Sequence, residues 1–115
     1  MTAQPSQIFW VYTTAPSSEI ARELGKMVVE RRLAACVNVI HGMESMYWWE
    51  GKVQSETEAV LIAKTSTDRY PELEAAIVRA HPYECPCVVA VPVQRGFDPF
   101  LQWVKSTARN PSSAL

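Results

Sequence analysis

The segment from His81 to Cys87 concentrates reactive side chains that are otherwise scattered along the chain. Its seven residues include an imidazole, a phenol, a carboxylate and two thiols, with two prolines among them. A proline fixes its own φ and keeps the residue before it out of the helical region. We therefore expect His81 and Cys85, which each precede a proline, to be extended and the segment to be stiff.

The chemistry that this segment offers is metal binding. Thiolates and imidazole suit Cu(I) or Zn(II), and a carboxylate suits harder divalent ions. The candidate metal ligands are His81, Glu84, Cys85 and Cys87, with copper or another divalent ion as the bound species. The alternative is a proline-stiffened loop whose cysteines are packed or line a cleft between subunits, because a free cysteine is often a small apolar residue.

Length and charge restrict the classes of partner. The 115 residues predict a single domain, spanning 7–108, with flexible polar ends at 1–6 and 110–115. A net charge of −1 without a basic cluster argues against nucleic acid as a partner. No apolar run approaches the length of a membrane span, the first residues lack the pattern of a signal peptide, and the three cysteines form no disulfide framework. These features predict a cytoplasmic protein with reduced thiols and no membrane partner.

The order of elements that must position the segment is strand, helix, strand, strand, helix, strand, followed by a short helix. Strands are expected over 7–14, 34–49, 52–65 and 88–93, and helices over 18–31, 68–80 and from Asp98 onward. Asp68 and Asp98 are the expected N-caps. A bend or bulge is expected in the long second strand at Gly42, and Glu50-Gly51 is the expected hairpin turn. Pro92 predicts an edge position or a bulge, because it cannot donate a hydrogen bond to a neighbouring strand.

This order predicts an α+β, ferredoxin-like (βαββαβ) antiparallel sheet with its helices on one face, an extended hairpin between the second and third strands, and a short C-terminal helix. The first strand, the base of the third strand and the fourth strand are apolar on both faces. Each large apolar side chain left in water forfeits about 1.5–3 kcal/mol, so several of them outweigh an association cost of about 4–15 kcal/mol. The sequence therefore predicts a homo-oligomer. Cys36 is expected in the core, and His41 in solvent.

Several short motifs, in order, resemble those of the CutA family of divalent-cation-tolerance proteins. They are Thr14-Ala15-Pro16, Leu33-Ala34-Ala35-Cys36-Val37-Asn38, Tyr47-Trp48-Trp49-Glu50-Gly51-Lys52, Lys64-Thr65 and His81-Pro82-Tyr83-Glu84 with Pro86. The resemblance runs from about Ile8 to Lys105. It implies an interlocked homotrimer of ferredoxin-like subunits, similar to PII signalling proteins, and a role in copper and divalent-metal tolerance without an established reaction.

The chain departs from this family at three positions. Thr13 and Ala80 stand where some members carry a thiol and a second histidine, and Cys87 stands where a glutamate is usual. A site that uses the first-strand thiol is therefore not expected here, and one that uses the Cys85 and Cys87 pair is.

The alternative function is a PII-like trimeric sensor or signalling scaffold for a small molecule or anion. Its site would be an inter-subunit cleft that gathers Glu58, Lys64 and Tyr83, together with Glu84. No glycine-rich phosphate loop is present, which disfavours a nucleotide. Since no nucleophile motif is present either, we expect a protein that is not an enzyme.

Overall fold

The computed structural model describes residues 6–110, and most of the two ends that were expected to be flexible lies outside this range. The described chain contains four strands and three helices. In chain order they are β1 (Ile8–Ala15), α1 (Ser18–Glu30), β2 (Cys36–Trp49), β3 (Lys52–Ser66), α2 (Tyr70–Ala80), β4 (Val88–Pro92) and α3 (Asp98–Thr107).

The strands form one antiparallel sheet in the order β2-β3-β1-β4. The edge position of β4 confirms the expectation drawn from Pro92, which has no N–H to donate to a further strand. β1 lies between β3 and β4, so its residues pair with both neighbours. This pairing places the start of β4, and the segment before it, beside the carboxyl end of β1.

Helices α1 and α2 cover one face of the sheet. Val11 and Ala63 of the sheet pack with Val28 of α1 and with Leu73 and Ile77 of α2. The start of α1 follows from the sequence, because the Ser17 side chain accepts a hydrogen bond from the Ile20 amide at 3.1 Å. α3 packs elsewhere, on Ile8 at the beginning of β1.

The other face of the sheet, called the outer face below, is only partly covered. Large apolar side chains on it remain in solvent: Trp10 is 46% exposed, Val89 47%, Val91 52% and Ile40 52%. The alternation of strand side chains places these residues on one surface, since Trp10 pairs with Val91 and Tyr12 with Val89. The sequence expectation that helices would cover one face and leave apolar residues on the other is met on this surface.

The β2–β3 hairpin carries both of its expected irregularities. The pairing shifts between Ile40 and Met43, and Gly42 there has φ of 80°. Glu50 and Gly51 close the hairpin with φ of 51° and 76°, the two positive values that a two-residue type I′ turn needs. Trp48 and Trp49 are adjacent in β2, so their side chains face opposite sides of the hairpin.

Three local expectations need correction. Asp68 does not cap α2, because Arg69 holds the N-cap position and makes no side-chain capping hydrogen bond. Asp98 is the first residue of α3 rather than its cap, which is Phe97. Cys36 is half-buried rather than a core residue, because its side chain lies on the outer face beside Lys64. His41 is exposed as expected.

Candidate functional site

The 81–87 segment is tied to the sheet through Tyr83. The phenol of Tyr83 donates a hydrogen bond to Oε2 of Glu58 at 2.6 Å. Glu58 lies on β3 opposite Met43, immediately past the bulge, and is only 7% exposed. Burial first, then the hydrogen bond and negative charge of Glu58, raise the pKa of the Tyr83 phenol. The phenol is therefore a donor at neutral pH, and the carboxylate is its acceptor.

His81 fixes the other end of the segment. It is 7% exposed, and its Nε2 lies 2.8 Å from the carbonyl oxygen of Thr14 at the end of β1. Its Nδ1 accepts a hydrogen bond from the Tyr83 amide at 3.1 Å. These two partners require the neutral tautomer with its proton on Nε2. Both ring nitrogens are therefore engaged within the subunit, and the ring also packs on Tyr83 with centroids 4.7 Å apart.

A pocket of about 990 Å³ opens between the segment and the base of the hairpin. Its walls combine aromatic, carboxylate and sulfur-bearing side chains, which include Tyr12, Met43, Tyr47, Trp49, Glu56, Glu58, Tyr83, Glu84, Cys85 and Cys87. A volume of this size is at the upper end of the range for small-molecule sites. The pocket is acidic, since five of its lining residues are glutamates and none is a lysine or an arginine.

The two thiols lie at this pocket, and both are free. Burial and, to a lesser extent, the neighbouring Glu58 carboxylate raise the pKa of the Cys87 thiol. The thiol form of Cys87 is therefore favoured at neutral pH, so a metal ion that binds there must displace a proton. Cys85 and Glu84 lie in the same segment, and all three residues are exposed to solvent.

The four predicted ligands do not converge within one subunit. Across residues 6–110, no three histidine, cysteine, aspartate or glutamate side chains are grouped closely enough to hold a metal ion. Glu84, Cys85 and Cys87 share the pocket, whereas the nitrogens of His81 are directed to Thr14 and Tyr83. A single chain therefore supplies only some of the ligands that a metal ion needs.

Of the residues predicted for a small-molecule cleft, the structure brings Glu58 and Tyr83 together and leaves Lys64 apart. Lys64 lies six positions after Glu58 on the same strand, roughly 20 Å away at about 3.3 Å per residue. Its ammonium donates to Oδ1 of Asn38 and lies 5.8 Å from the centroid of the Trp10 ring. A cleft that contains all three residues would need Lys64 from another subunit.

The arrangement of these elements has counterparts in known proteins. The sequence profile of the family described as "CutA1 divalent ion tolerance protein" matches residues 9–107. The chain belongs to the CutA1 family.

Proteins named CutA in Archaeoglobus fulgidus and in Arabidopsis thaliana are similar to this chain. The "Divalent-cation tolerance protein CutA" of Archaeoglobus fulgidus is 40% identical over 98 residues, which cover 85% of this chain and 95% of that protein. The chloroplastic "Protein CutA" of Arabidopsis thaliana is 43% identical over 87% of this chain, which spans 55% of that longer protein. The solved structure of the A. fulgidus protein, described as periplasmic, superposes with a TM-score of 0.86 at 38% identity, covering 89% of this chain and 99% of that one.

Membership in the CutA1 family confirms the resemblance drawn from the motifs. Two groups at the pocket and at the 81–87 segment were not predicted from the sequence. The Thr14 carbonyl, which holds His81, and the Met43 sulfur, which lies 3.5 Å from the Tyr12 hydroxyl, were missed. A backbone acceptor carries no signature in a sequence, and Met43 reaches the pocket only because of the bulge before it. No helix in the described part of the chain is both long and apolar enough to span a membrane.

Proposed function

We propose that this chain is a cytoplasmic, non-catalytic divalent-cation tolerance protein that forms a homotrimer of ferredoxin-like subunits. We further propose that it binds a metal ion, copper or another divalent ion, at the pocket beside the 81–87 segment. The observation that carries the metal proposal is the placement of Cys85, Cys87 and Glu84 at one acidic pocket. The family description supports the role in tolerance, since it names ion tolerance rather than a reaction.

The proposed ligands are Glu84, Cys85 and Cys87, with His81 as the fourth. Two thiolates and a carboxylate suit a soft or borderline ion such as Cu(I) or Zn(II). His81 can join them only by releasing the Thr14 carbonyl or the Tyr83 amide, each of which would then lose its hydrogen-bond partner. In the proposed complex, His81 holds the segment until a metal ion competes for its ring.

The trimer proposal rests on the outer face. Trp10, Val89 and Val91 form an apolar surface on the sheet that the described helices do not cover. Burying these side chains against another subunit would stabilise the assembly by an amount comparable with the cost of association. The strand order β2-β3-β1-β4 supports the ferredoxin-like classification, and a neighbouring subunit is the natural source of the ligands that one chain lacks.

Titration with Cu(I), in competition with a chromophoric chelator under reducing conditions, tests the metal proposal. Zn(II) titrated by calorimetry provides the second arm. We expect the Cys85→Ser/Cys87→Ser variant to bind either ion at least tenfold more weakly than the wild type. The matched control is Cys36→Ser, which removes a half-buried thiol from β2, outside this pocket, and should bind like the wild type. Equal binding by the wild type and the double variant would show that these thiols are not ligands.

A small-molecule or anion sensor is the second candidate, and the volume of the pocket favours it. Its ligand would contact Glu58 and Tyr83 of one subunit and Lys64 of another. A thermal-shift screen of anions and metabolites, with Lys64→Met as the test variant, examines this candidate. It fails if no compound raises the midpoint at saturating concentration, or if Lys64→Met leaves the shifts unchanged.

A further inference from the structure

A second pocket, of about 340 Å³, lies at the opposite end of the sheet from the 81–87 segment. It is bounded by the end of β3, the start of α2 and the last turn of α3. Three of its lining residues are basic: Arg69, Lys105 and Arg109. It shares no lining residue with the pocket of the proposed metal site.

Arg69 is the central residue of this pocket, because it is a buried cation. It is 5% exposed, although an arginine is almost never buried without a partner. Its Nη1 donates to Oε1 of Glu72 at 2.9 Å, and its Nε donates to the carbonyl oxygen of Arg32 at 3.3 Å. Neither of these two hydrogen bonds uses the remaining nitrogen, Nη2. The guanidinium is therefore held rigidly on one side and has donors to spare on the other.

The charge around Arg69 is unbalanced in favour of anions. Glu72 neutralises Arg69, and the carboxylate of Asp68 is exposed at the rim. Lys105 and Arg109 are half-buried, and within the described chain neither side chain forms an ion pair. The positive end of the α2 dipole also lies at Arg69, since no side chain caps that helix. Three cations and two carboxylates therefore line this small concave space, and Lys105 and Arg109 are not engaged in an ion pair there with any described residue.

These features suit a phosphate group. A guanidinium presents paired donors that match the oxygens of phosphate, and two additional cations match its second negative charge. A cavity of about 340 Å³ is near the lower limit for ligand pockets, so the occupant is small. A further hydroxyl at the pocket belongs to Thr67, which follows the last residue of β3.

We propose that this pocket, formed by Arg69, Lys105 and Arg109, binds the phosphate group of a small molecule or free inorganic phosphate. Nothing in the proposal depends on metal binding at the other pocket. The ligand would bridge the start of α2 and the end of α3, two elements that the chain otherwise joins through Ser66, whose hydroxyl donates to the Ala108 carbonyl at 3.3 Å. Its binding should therefore also stabilise the docking of α3.

Calorimetric titration at low ionic strength tests the proposal, with inorganic phosphate in one arm and ribose 5-phosphate in the other. The wild type should bind at least one of them saturably, with one site per chain. The Lys105→Ala/Arg109→Ala variant should bind at least tenfold more weakly. Tighter binding of the sugar phosphate would identify a phosphorylated small molecule as the ligand, and binding of phosphate alone would identify the free ion.

The matched control is Arg22→Ala/Arg95→Ala, which also removes two positive charges but takes them from exposed positions outside the pocket. It should bind within about twofold of the wild type. If the control lost as much affinity as the test variant, the loss would be due to net charge alone, and the proposal would be overturned. The absence of saturable binding by the wild type in both arms would also overturn it. Because Lys105 and Arg109 are not core residues, thermal melting should show that the test variant stays folded.

Discussion

Tyr83 donates a 2.6 Å hydrogen bond to the buried carboxylate of Glu58, and this bond joins the 81–87 segment to a strand 25 residues earlier in the chain. A buried carboxylate needs such a donor, since a charged group without a partner is costly in an apolar environment. The bond therefore fixes the wall of the proposed metal pocket.

Removal of the Tyr83 hydroxyl should destabilise the protein. We expect Tyr83→Phe to lower the free energy of unfolding by about 1.5–3 kcal/mol, the usual value of a hydrogen bond to a charged group. Urea denaturation at fixed protein concentration measures this change. Tyr12→Phe is the control, because the Tyr12 hydroxyl faces only a sulfur at 3.5 Å and should contribute less. Equal losses in the two variants would contradict the assignment.

The same bond predicts a loss of stability in alkaline solution. The pKa of Tyr83 is raised in the folded protein, by burial and by Glu58, above the value of about 10 for a free phenol. Above that pH the unfolded chain binds fewer protons than the native one, so the contribution of Tyr83 is complete below pH 10 and decreases as the pH rises. The difference in unfolding free energy between the wild type and Tyr83→Phe should therefore shrink from pH 8 to pH 11. A constant difference would exclude this linkage.

His81 should matter for stability in the absence of any metal. His81→Ala leaves the Thr14 carbonyl and the Tyr83 amide without their partners, and should cost about 1–3 kcal/mol. Thermal denaturation in the presence of a chelator measures the effect. His41→Ala removes the other, exposed histidine and should change the midpoint little. If chelator-treated His81→Ala melts like the wild type, the ring has no structural role.

Two buried threonines should respond in opposite ways to the same substitution. Among the described residues, the Thr13 hydroxyl alone is buried without a hydrogen-bond partner. The Thr65 hydroxyl donates to the Leu33 carbonyl at 2.6 Å. Thr13→Val should therefore stabilise the protein by up to about 1–3 kcal/mol, and Thr65→Val should destabilise it by a similar amount. Urea midpoints that move in the same direction for both would contradict the hydrogen-bond assignment at Thr13.

The outer face should fail as an interface when it carries a charge. Val91 on this face and Val78 on α2 are about equally exposed in the single chain, at 52% and 48%. If the proposed trimer covers Val91, Val91→Glu should dissociate it, because a carboxylate would be buried without a partner. Val78→Glu should leave the assembly intact. Sedimentation velocity at micromolar concentration measures both, and a wild-type monomer would contradict the trimer itself.

Local sequence patterns were sufficient to predict the strands and helices of the fold, but not the N-cap residues of α2 and α3. Strand and helix periodicities predicted the order of seven elements, and Gly42, Gly51 and Pro92 stand where their backbone preferences require. Asp68 was predicted to cap α2 and does not, because the chain instead forms a turn in which the Arg69 amide donates to the Ser66 carbonyl. A capping residue is favoured by its type but selected by the turn that precedes the helix.

The sequence by itself determined the family, the order of the elements and the extended backbone at His81, since each of these depends on neighbouring residues and their spacing. Only the tertiary structure decided what the reactive side chains face. It joined Tyr83 to Glu58, directed both nitrogens of His81 to the backbone, separated Lys64 from the pocket and buried Arg69 at the other end of the sheet. These contacts connect residues far apart in the chain, so they depend on strand register and helix packing rather than on any local pattern.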